Sequence, residues 1–181
     1  LMAQYPGDAD FMNLMGLTEL SLGNAKAAIP FFRDSYKKEP RTAVALNLSS
    51  ALIEAGDAEK ATQLLIRLNK APDTKAYPHP ERISHNMGLA AEKSQRFPDA
   101  ERNYKAALLV NPDFYITLIR LGELYQRTKR PSLARGHFEH AQQVCAICFE
   151  PVNALSANLI ASGRVKDAVK MLKTYLDNKE V

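Results

Sequence analysis

One spacing of small and bulky residues recurs along the chain, and it restricts the possible folds more than any other feature of the sequence. Alanines anchor it at intervals of 33, 39, 34 and 34 residues: Ala28, Ala61, Ala100, Ala134 and Ala168. Twelve residues before each alanine is a Gly or Ser, in the order Gly16, Ser49, Gly88, Gly122 and Ser156. Four residues after each is a bulky side chain, in the order Phe32, Leu65, Tyr104, Phe138 and Leu172. A period of about 34 residues indicates a repeat architecture.

Each repeat divides into two segments with apolar residues at i, i+3, i+4 and i+7, the spacing of an amphipathic helix. First helices are predicted at 9–22, 42–55, 81–94, 115–128 and 149–162. Second helices are predicted at 25–38, 58–70, 98–110, 131–145 and 165–178. A Gly or Ala at a helix crossing lets the two backbones approach, and the bulky residue one turn later fills the adjacent space. The pattern therefore predicts stacked helical hairpins.

These residues resemble the tetratricopeptide repeat, a helix–turn–helix unit of about 34 residues. The resemblance implies an all-α, right-handed superhelical solenoid of about five repeats, forming a single array over 1–181. The repeats are predicted at about 9–41, 42–74, 81–114, 115–148 and 149–181. Residues 1–8 are interpreted as the tail of an earlier repeat, because Pro6 lies where the closing proline of such a repeat would lie.

The one long interval comes from extra residues between repeats two and three, in the run DTKAYPHPER. Pro78 and Pro80 favour an extended, stiff connection there, because each fixes its own backbone and restricts the residue before it. The connection is either a kink in the solenoid or a loop that the repeats tolerate.

Such stacks curve, and the first helix of each pair lines their concave face, which is the surface that binds partners. Five positions relative to the Gly or Ser anchor (−6, −3, −2, +1 and +4) are predicted to face inward. From these positions, and from one residue beside them, we predict a groove that binds a partner protein. Its residues are Asn13, Leu14, Leu17, Leu46, Asn47, Ile53, Arg82, His85, Asn86, Ile116, Arg120, Glu123 and Arg127.

The predicted groove changes from apolar in the first repeats to basic and polar around Arg82, His85, Arg120 and Arg127. An amphipathic helix or an extended segment with an acidic end would match that gradient. The alternative interpretation is that the leucines lie between neighbouring helices and that the arginines form a solvated face. Both interpretations are open at the level of the sequence.

One partner class is excluded directly. Tetratricopeptide domains of cochaperones bind a terminal carboxylate with a set of Lys, Asn and Arg residues on the first helices of three repeats. Asn47 and Arg82 fit that set, but Asn13, Leu17 and Asn86 stand where Lys, Asn and Arg are expected. The combination lacks the charge to hold a carboxylate.

Cys145 and Cys148 form a CxxC motif at the end of a predicted helix. A redox CxxC normally opens a helix, whose N-terminus lowers the thiol pKa. His137 and His140 lie upstream, but on one helix His140 and Cys145 are about 140° apart and cannot converge on zinc. We expect small buried thiols, with a local disulfide as the alternative, and no metal. A CxxC-dependent redox or metal protein is the least favoured hypothesis.

Other motifs and the composition narrow the function further. Neither GxGxxG nor GxxxxGK occurs, and His79 and His85 have no evident catalytic partners, so no cofactor and no enzyme activity are expected. The 24 basic and 20 acidic residues leave a net charge of +4 without a Lys/Arg run, so no nucleic-acid partner is expected. No apolar run approaches the roughly 20 residues that span a bilayer.

A closer resemblance concerns the run AYPHPERISHNMGLAAEKSQRFPDAERNYKAALLVNP. It is similar to a stretch of the tetratricopeptide lipoproteins that assist type IV pilus biogenesis; the matching residues are Tyr77, Pro78, Pro80, Glu81, Arg82, Asn86 and Gly88. The run GNAKAAIPFFRDSYKKEP, with Pro30 inside its second helix, is similar to their first repeat.

This resemblance implies a pilotin, a factor that helps the subunit of the secretin pore to localise and oligomerise. It also implies the periplasmic face of the bacterial outer membrane, with membrane attachment only through a lipid anchor that is not present in this chain. The alternative is a generic tetratricopeptide adaptor or cochaperone for another multiprotein complex, cytoplasmic or secreted.

Overall fold

The computed structural model describes residues 7–177, apart from the side chains of Asp73 and Lys75, and within that range it contains α-helices and no strand. The ten α-helices of this range are α1 (Ala9–Ser21), α2 (Ala25–Lys38), α3 (Thr42–Glu54), α4 (Ala58–Lys70), α5 (Glu81–Lys93), α6 (Phe97–Val110), α7 (Tyr115–Arg127), α8 (Pro131–Val144), α9 (Phe149–Ala161) and α10 (Val165–Asp177). Their ends lie within one residue of the segments predicted from the sequence. Residues 1–6 of the predicted tail, and residues 178–181, lie outside the described range.

The anchor positions of the repeat are buried, which is what a helix crossing requires. The five anchor alanines, from Ala28 to Ala168, are 0–1% exposed. The residues seven positions after them are buried as well, namely Ser35, Leu68, Ala107, Ala141 and Tyr175. The small residues of the pattern therefore lie where neighbouring helices meet.

One turn position between the two helices of each hairpin has a left-handed backbone. Gly23, Gly56 and Gly163 occupy it with φ of 79°, 92° and 75°. In repeats three and four it is occupied by Gln95 and Lys129, each with φ of 58°. Glycine adopts this conformation without strain because it has no Cβ, whereas other residues do so at a cost. The turn therefore explains the glycines that recur between the predicted helices.

The chain divides into two compact units, an N-terminal unit that ends at Asn103 and a C-terminal unit that begins at Tyr104. In the N-terminal unit α3 is the central helix, with contacts to α1, α2, α4 and α5. Its Ala45, Leu46 and Ala51 are completely buried. Such burial of aliphatic side chains is the main stabilising contribution to the unit.

The C-terminal unit is built in the same way around α7 and α9. Helix α7 contacts α8 and α9, and α9 also contacts α8 and α10. Leu121 and Leu124 of α7 are completely buried, as is Phe138 of α8. The ring of Phe138 lies directly against Gly122, so that α7 and α8 approach at a glycine.

The connection between α4 and α5 differs in part from the prediction. Instead of extended chain throughout, Pro72–Ala76 form a short 3-10 helix. The buried hydroxyl of Thr74 donates a hydrogen bond of 2.6 Å to the carbonyl of Leu68, near the end of α4. The same carbonyl also accepts from the Ala71 N–H at 3.0 Å, so it ties both the end of α4 and the 3-10 helix together, a local arrangement that the two later prolines do not indicate.

Candidate functional site

An open cleft of about 470 Å³ lies between α7 and α9 in the C-terminal unit. We call it the α7–α9 cleft. Its lining residues are Tyr115, Ile116, Ile119, Arg120, Glu123, Gln126, Phe138, Phe149, Glu150, Asn153, Ala154 and Ala157. Most of these occupy the inward positions predicted from the repeat register. The structure thus brings Ile116, Arg120 and Glu123, three of the predicted groove residues, to one surface.

Two large apolar side chains are exposed at this cleft. Phe149 is 59% exposed and Ile116 is 42% exposed, although both lie in a concavity. Ala154 and Ala157, which have small side chains, line the same cleft from α9. A concave surface with exposed aromatic and aliphatic groups, surrounded by polar residues, is suited to burying the apolar side chain of a ligand.

The cleft is lined by one arginine and two glutamates, which corrects the predicted basic character of this end of the groove. Arg120 Nη1 donates to Glu123 Oε2 at 3.0 Å, one turn along the same helix. Glu150 adds a further carboxylate on the opposite wall. The Arg120 charge is therefore paired within the cleft and does not by itself select an acidic segment.

Phe149 was not among the predicted groove residues. It is the first residue of α9 and lies seven positions before its anchor, Ser156. Tyr115, the first residue of α7, holds the equivalent position before Gly122 and also lines the cleft. Adding position −7, the residue next to the −6 position already considered, would have found both aromatics.

In the N-terminal unit the predicted groove residues divide into exposed and buried sets. Leu14 and Leu17 of α1 are 59% and 40% exposed, so both are accessible to a ligand. Leu46 and Ile53 of α3 are 0% and 3% exposed and belong to the hydrophobic core. The prediction that these two line the groove is wrong, because α3 has first helices on both sides, α1 and α5, which cover them.

The polar inward residues of α1 form links within the protein. Asn47 Nδ2 donates to Asn13 Oδ1 at 3.0 Å, which connects α3 to α1. Arg41, the residue before α3, pairs with Asp10 at 2.6 Å. The hydrogen bond to Asp10 raises the pKa of Arg41 above its ordinary value. These contacts hold the first two hairpins together at their inner side.

Asn86 and His85 of α5 lie inside the protein and not on a binding surface. Both are buried, at 6% and 7% exposure. Asn86 Nδ2 lies 2.8 Å from Ser49 Oγ, 3.2 Å from Ser50 Oγ and 3.2 Å from the carbonyl oxygen of Leu46. As placed, the Asn86 amide therefore joins α5 to α3, and neither residue presents a free surface to a ligand.

The two remaining predicted residues are arginines at the surface. Arg82 is exposed, and its Nη1 donates to the hydroxyl of Tyr77 at 3.3 Å. Arg127 is exposed at the last position of α7 and does not line the α7–α9 cleft.

Cys145 and Cys148 are joined by a disulfide across the turn between α8 and α9. The expectation of buried free thiols is wrong; both residues are half-exposed and bonded to each other. Helix α8 ends at Val144, one residue earlier than predicted, so the motif lies in a turn and not in a helix. Cys148 immediately precedes α9, so the bridge holds the turn that leads into Phe149.

Metal-binding and membrane-spanning features are both absent from the described range. Within residues 7–177 no group of three or more His, Cys, Asp or Glu side chains is arranged to hold a metal ion. None of the helices in this range has both the length and the apolar character needed to cross a membrane.

Comparison with protein families identifies one match. Residues 85–144 match the family model described as the tetratricopeptide repeat. Curated protein sequences contain no significant match to the chain.

Solved structures provide many matches to the fold. A thermophilic TPR protein of Thermus thermophilus has a TM-score of 0.78 at 17% identity, covering 94% of this chain and 91% of that chain. PilW, a widely conserved type IV pilus biogenesis factor, has a TM-score of 0.78 at 16% identity, covering 99% and 81%. MamA from Desulfovibrio magneticus has a TM-score of 0.65 at 14% identity, covering 95% of each chain. These similarities confirm the all-α helical-repeat fold predicted from the sequence.

Proposed function

We propose that the chain, in which residues 85–144 match the tetratricopeptide repeat, is a non-catalytic scaffold that binds a segment of a partner protein in the α7–α9 cleft. Arrays of this repeat bind proteins on the surface formed by their first helices. The observation that carries the proposal is the exposure of Phe149 and Ile116 inside a concavity on that surface.

The lining suggests the chemistry of the segment. An apolar side chain would contact Phe149 and Ile116, while the amides of Gln126 and Asn153 can bond the polar groups beside it. Because Arg120 is paired with Glu123 at 3.0 Å, strong acidity is not needed in the part of the segment that enters the cleft. A helix or an extended strand with one apolar face meets these conditions.

Within this class we propose a pilotin, an assembly factor for the type IV pilus secretin at the periplasmic face of the outer membrane. The fold similarity to PilW supports this, as do the matching residues around Tyr77 and Pro80. The disulfide between Cys145 and Cys148 is a further support, because such bonds persist in oxidising compartments such as the periplasm. The partner would be a secretin subunit, and a lipid anchor would attach the protein to the membrane.

Binding of purified secretin subunit to the purified chain, measured by isothermal titration calorimetry, tests both levels of the proposal. We expect Ile116→Ser and Phe149→Ser each to weaken binding by at least about tenfold, the effect of losing one well-buried apolar contact. Leu133→Ser is the matched control, because Leu133 is 51% exposed on α8 and lies outside the cleft. It should bind like the unmodified protein.

Different results would refute the pilotin role and the placement of the binding site in the α7–α9 cleft. If the secretin subunit does not bind at all, the pilotin role is wrong and the adaptor alternative takes its place. If the subunit binds but both cleft variants bind as tightly as the Leu133→Ser control, the α7–α9 cleft is not the binding site.

A further inference from the structure

A second concavity lies in the N-terminal unit, between the second helices α2 and α4. It measures about 410 Å³, and we call it the α2–α4 groove. Its lining residues are Arg33, Tyr36, Leu48, Leu52, Lys60, Gln63, Leu64, Arg67, Leu68 and Ala71. None of them belongs to the predicted groove or to the α7–α9 cleft.

The floor of the α2–α4 groove is apolar and belongs to the buried core. Leu48 and Leu52 come from α3, and Leu64 and Leu68 come from α4; each is buried and part of the core cluster. Tyr36 of α2 is half-buried and contacts the same cluster. A ligand side chain that enters the groove would therefore meet aliphatic and aromatic surface already held in place by the core.

The rim of the α2–α4 groove is cationic. Arg33, Lys60 and Arg67 are exposed, and no carboxylate is among the lining residues. Lys60 Nζ is paired with Asp57 at 2.9 Å, outside the lining. The rim thus has an excess of positive charge on both of its walls.

The two arginines are the available charges. Arg33 lies on α2 and Arg67 on α4, and neither forms an ion pair with another side chain that the structure describes. Arg67 Nε donates to the backbone carbonyl of Gln63 at 3.3 Å, which uses a neutral partner and leaves the charge uncompensated. A guanidinium group binds a carboxylate through two parallel hydrogen bonds, which a solvated arginine offers to a ligand.

We propose that the α2–α4 groove binds an acidic amphipathic helix of a partner protein, with its apolar face on the leucine floor and its carboxylates on Arg33 and Arg67. Charge complementarity selects this occupant: the walls are positive, and the floor needs apolar side chains. A nucleic acid is a poorer match, because the floor between the cations is mainly leucine and Tyr36 is the one aromatic lining residue on which a base could stack. The inference goes beyond the proposed function, because it concerns another unit of the chain and a ligand of different charge.

A synthetic peptide tests the charge and the apolar face together. It has leucines at i, i+3, i+4 and i+7 with glutamates on both flanks, and fluorescence anisotropy measures its binding to the full chain. We expect binding that weakens as salt is raised. The same peptide with glutamine in place of glutamate should bind at least about tenfold more weakly, which corresponds to two lost charge-assisted contacts.

Charge reversal on the protein gives the second arm. The double variant Arg33→Glu/Arg67→Glu should lose at least about tenfold in affinity for the glutamate peptide and should gain affinity for a lysine version of it. Lys26→Glu/Lys93→Glu is the matched control, with the same change in net charge at exposed positions outside the groove. It should keep most of the affinity. Circular dichroism checks that each variant is folded.

Several results would overturn the inference. Equal binding of the glutamate and glutamine peptides would do so, as would equal losses in the two double variants. Sedimentation showing a dimer that Arg33→Glu/Arg67→Glu dissociates would make a second copy of the chain the occupant. Binding to phosphatidylglycerol vesicles that the same variant abolishes, without peptide binding, would make the groove a lipid site. Phe149→Ser should bind the glutamate peptide normally, so failure here is distinguishable from failure of the α7–α9 cleft.

Discussion

The ring of Phe138 occupies the space that a side chain at position 122 would need: a Cβ added to Gly122 would lie 2.4 Å from Cε1 of that ring. The same relationship occurs in the N-terminal unit, where a Cβ at Gly16 would lie 2.6 Å from Cε1 of Phe32. Contacts this short are not found for real Cβ atoms, so the aromatic ring requires a glycine on the facing helix. Each pair is sixteen residues apart, the sum of the two spacings that define the repeat.

Gly122→Ala should therefore destabilise the protein by about 1–3 kcal/mol, the cost of overpacking a close-packed core. The matched control is Gly136→Ala, because Gly136 is exposed in the interior of α8 and a Cβ there would meet nothing within 4 Å. That variant should be unchanged or up to about 1 kcal/mol more stable, since alanine favours a helix over glycine. Urea unfolding followed by circular dichroism measures both. Equal stability of the two variants would contradict the helix crossing described here.

The left-handed turn gives a second prediction. Gly56→Ala should cost about 1 kcal/mol, although a Cβ there would meet nothing within 4 Å, because φ is 92° and a side chain is strained in that conformation. Lys129→Gly, at the equivalent turn with φ of 58°, should lose that strain and show a small gain or no loss. Thermal unfolding of both variants provides the measurement. A stabilising Gly56→Ala would mean that the turn does not hold a left-handed residue.

The burial of Leu46 gives a third prediction, which compares the loss of stability when a buried or an exposed leucine is truncated. Leu46→Ala should destabilise the protein by about 2–5 kcal/mol, since it removes a completely buried side chain and leaves a cavity. Leu14→Ala, at a position 59% exposed, should change the stability by less than about 0.5 kcal/mol. Chemical unfolding of the two variants decides the question. If Leu14→Ala lowered the stability more than Leu46→Ala, then Leu46 would not be the buried residue and Leu14 would not be the exposed one.

The disulfide gives a fourth prediction. Cys145→Ser/Cys148→Ser should lower the stability by at most about 2 kcal/mol, because a bridge across so short a loop constrains the unfolded chain only slightly. Partner binding should persist in the double variant. Calorimetric unfolding and titration with the partner test the two statements. Loss of function in a variant that remains folded would instead support a role for the cysteine pair in redox chemistry.

The repeat register predicted helix bounds and side-chain directions well, because both follow from the spacing of small and apolar residues along one chain. It located Ile116, Arg120 and Glu123 on one wall of the α7–α9 cleft for the same reason. The repeat register failed for Leu46 and Ile53. Their side chains point inward as predicted, but helices of neighbouring repeats cover them. A single sequence gives the direction of a side chain but not what lies opposite it.

Three further features were not predicted or, for the disulfide, were given only as an alternative. Phe149 lies one residue before the first position considered, at the very start of α9. The Cys145–Cys148 bridge depends on α8 ending at Val144, a boundary of one residue that periodicity does not resolve. The α2–α4 groove was also missed, since it lies between second helices, whereas the binding surface was predicted on the first helices.

Site-specific photo-cross-linking tests the central claim most directly. A photoreactive phenylalanine analogue is placed at Phe149 in the cleft or, as the control, at Leu133 on α8, and each protein is irradiated in complex with its partner. The account predicts an efficient cross-link to one defined segment of the partner from position 149 and little or none from position 133. Equal cross-linking from both positions, or none from position 149 while the partner stays bound, would contradict it.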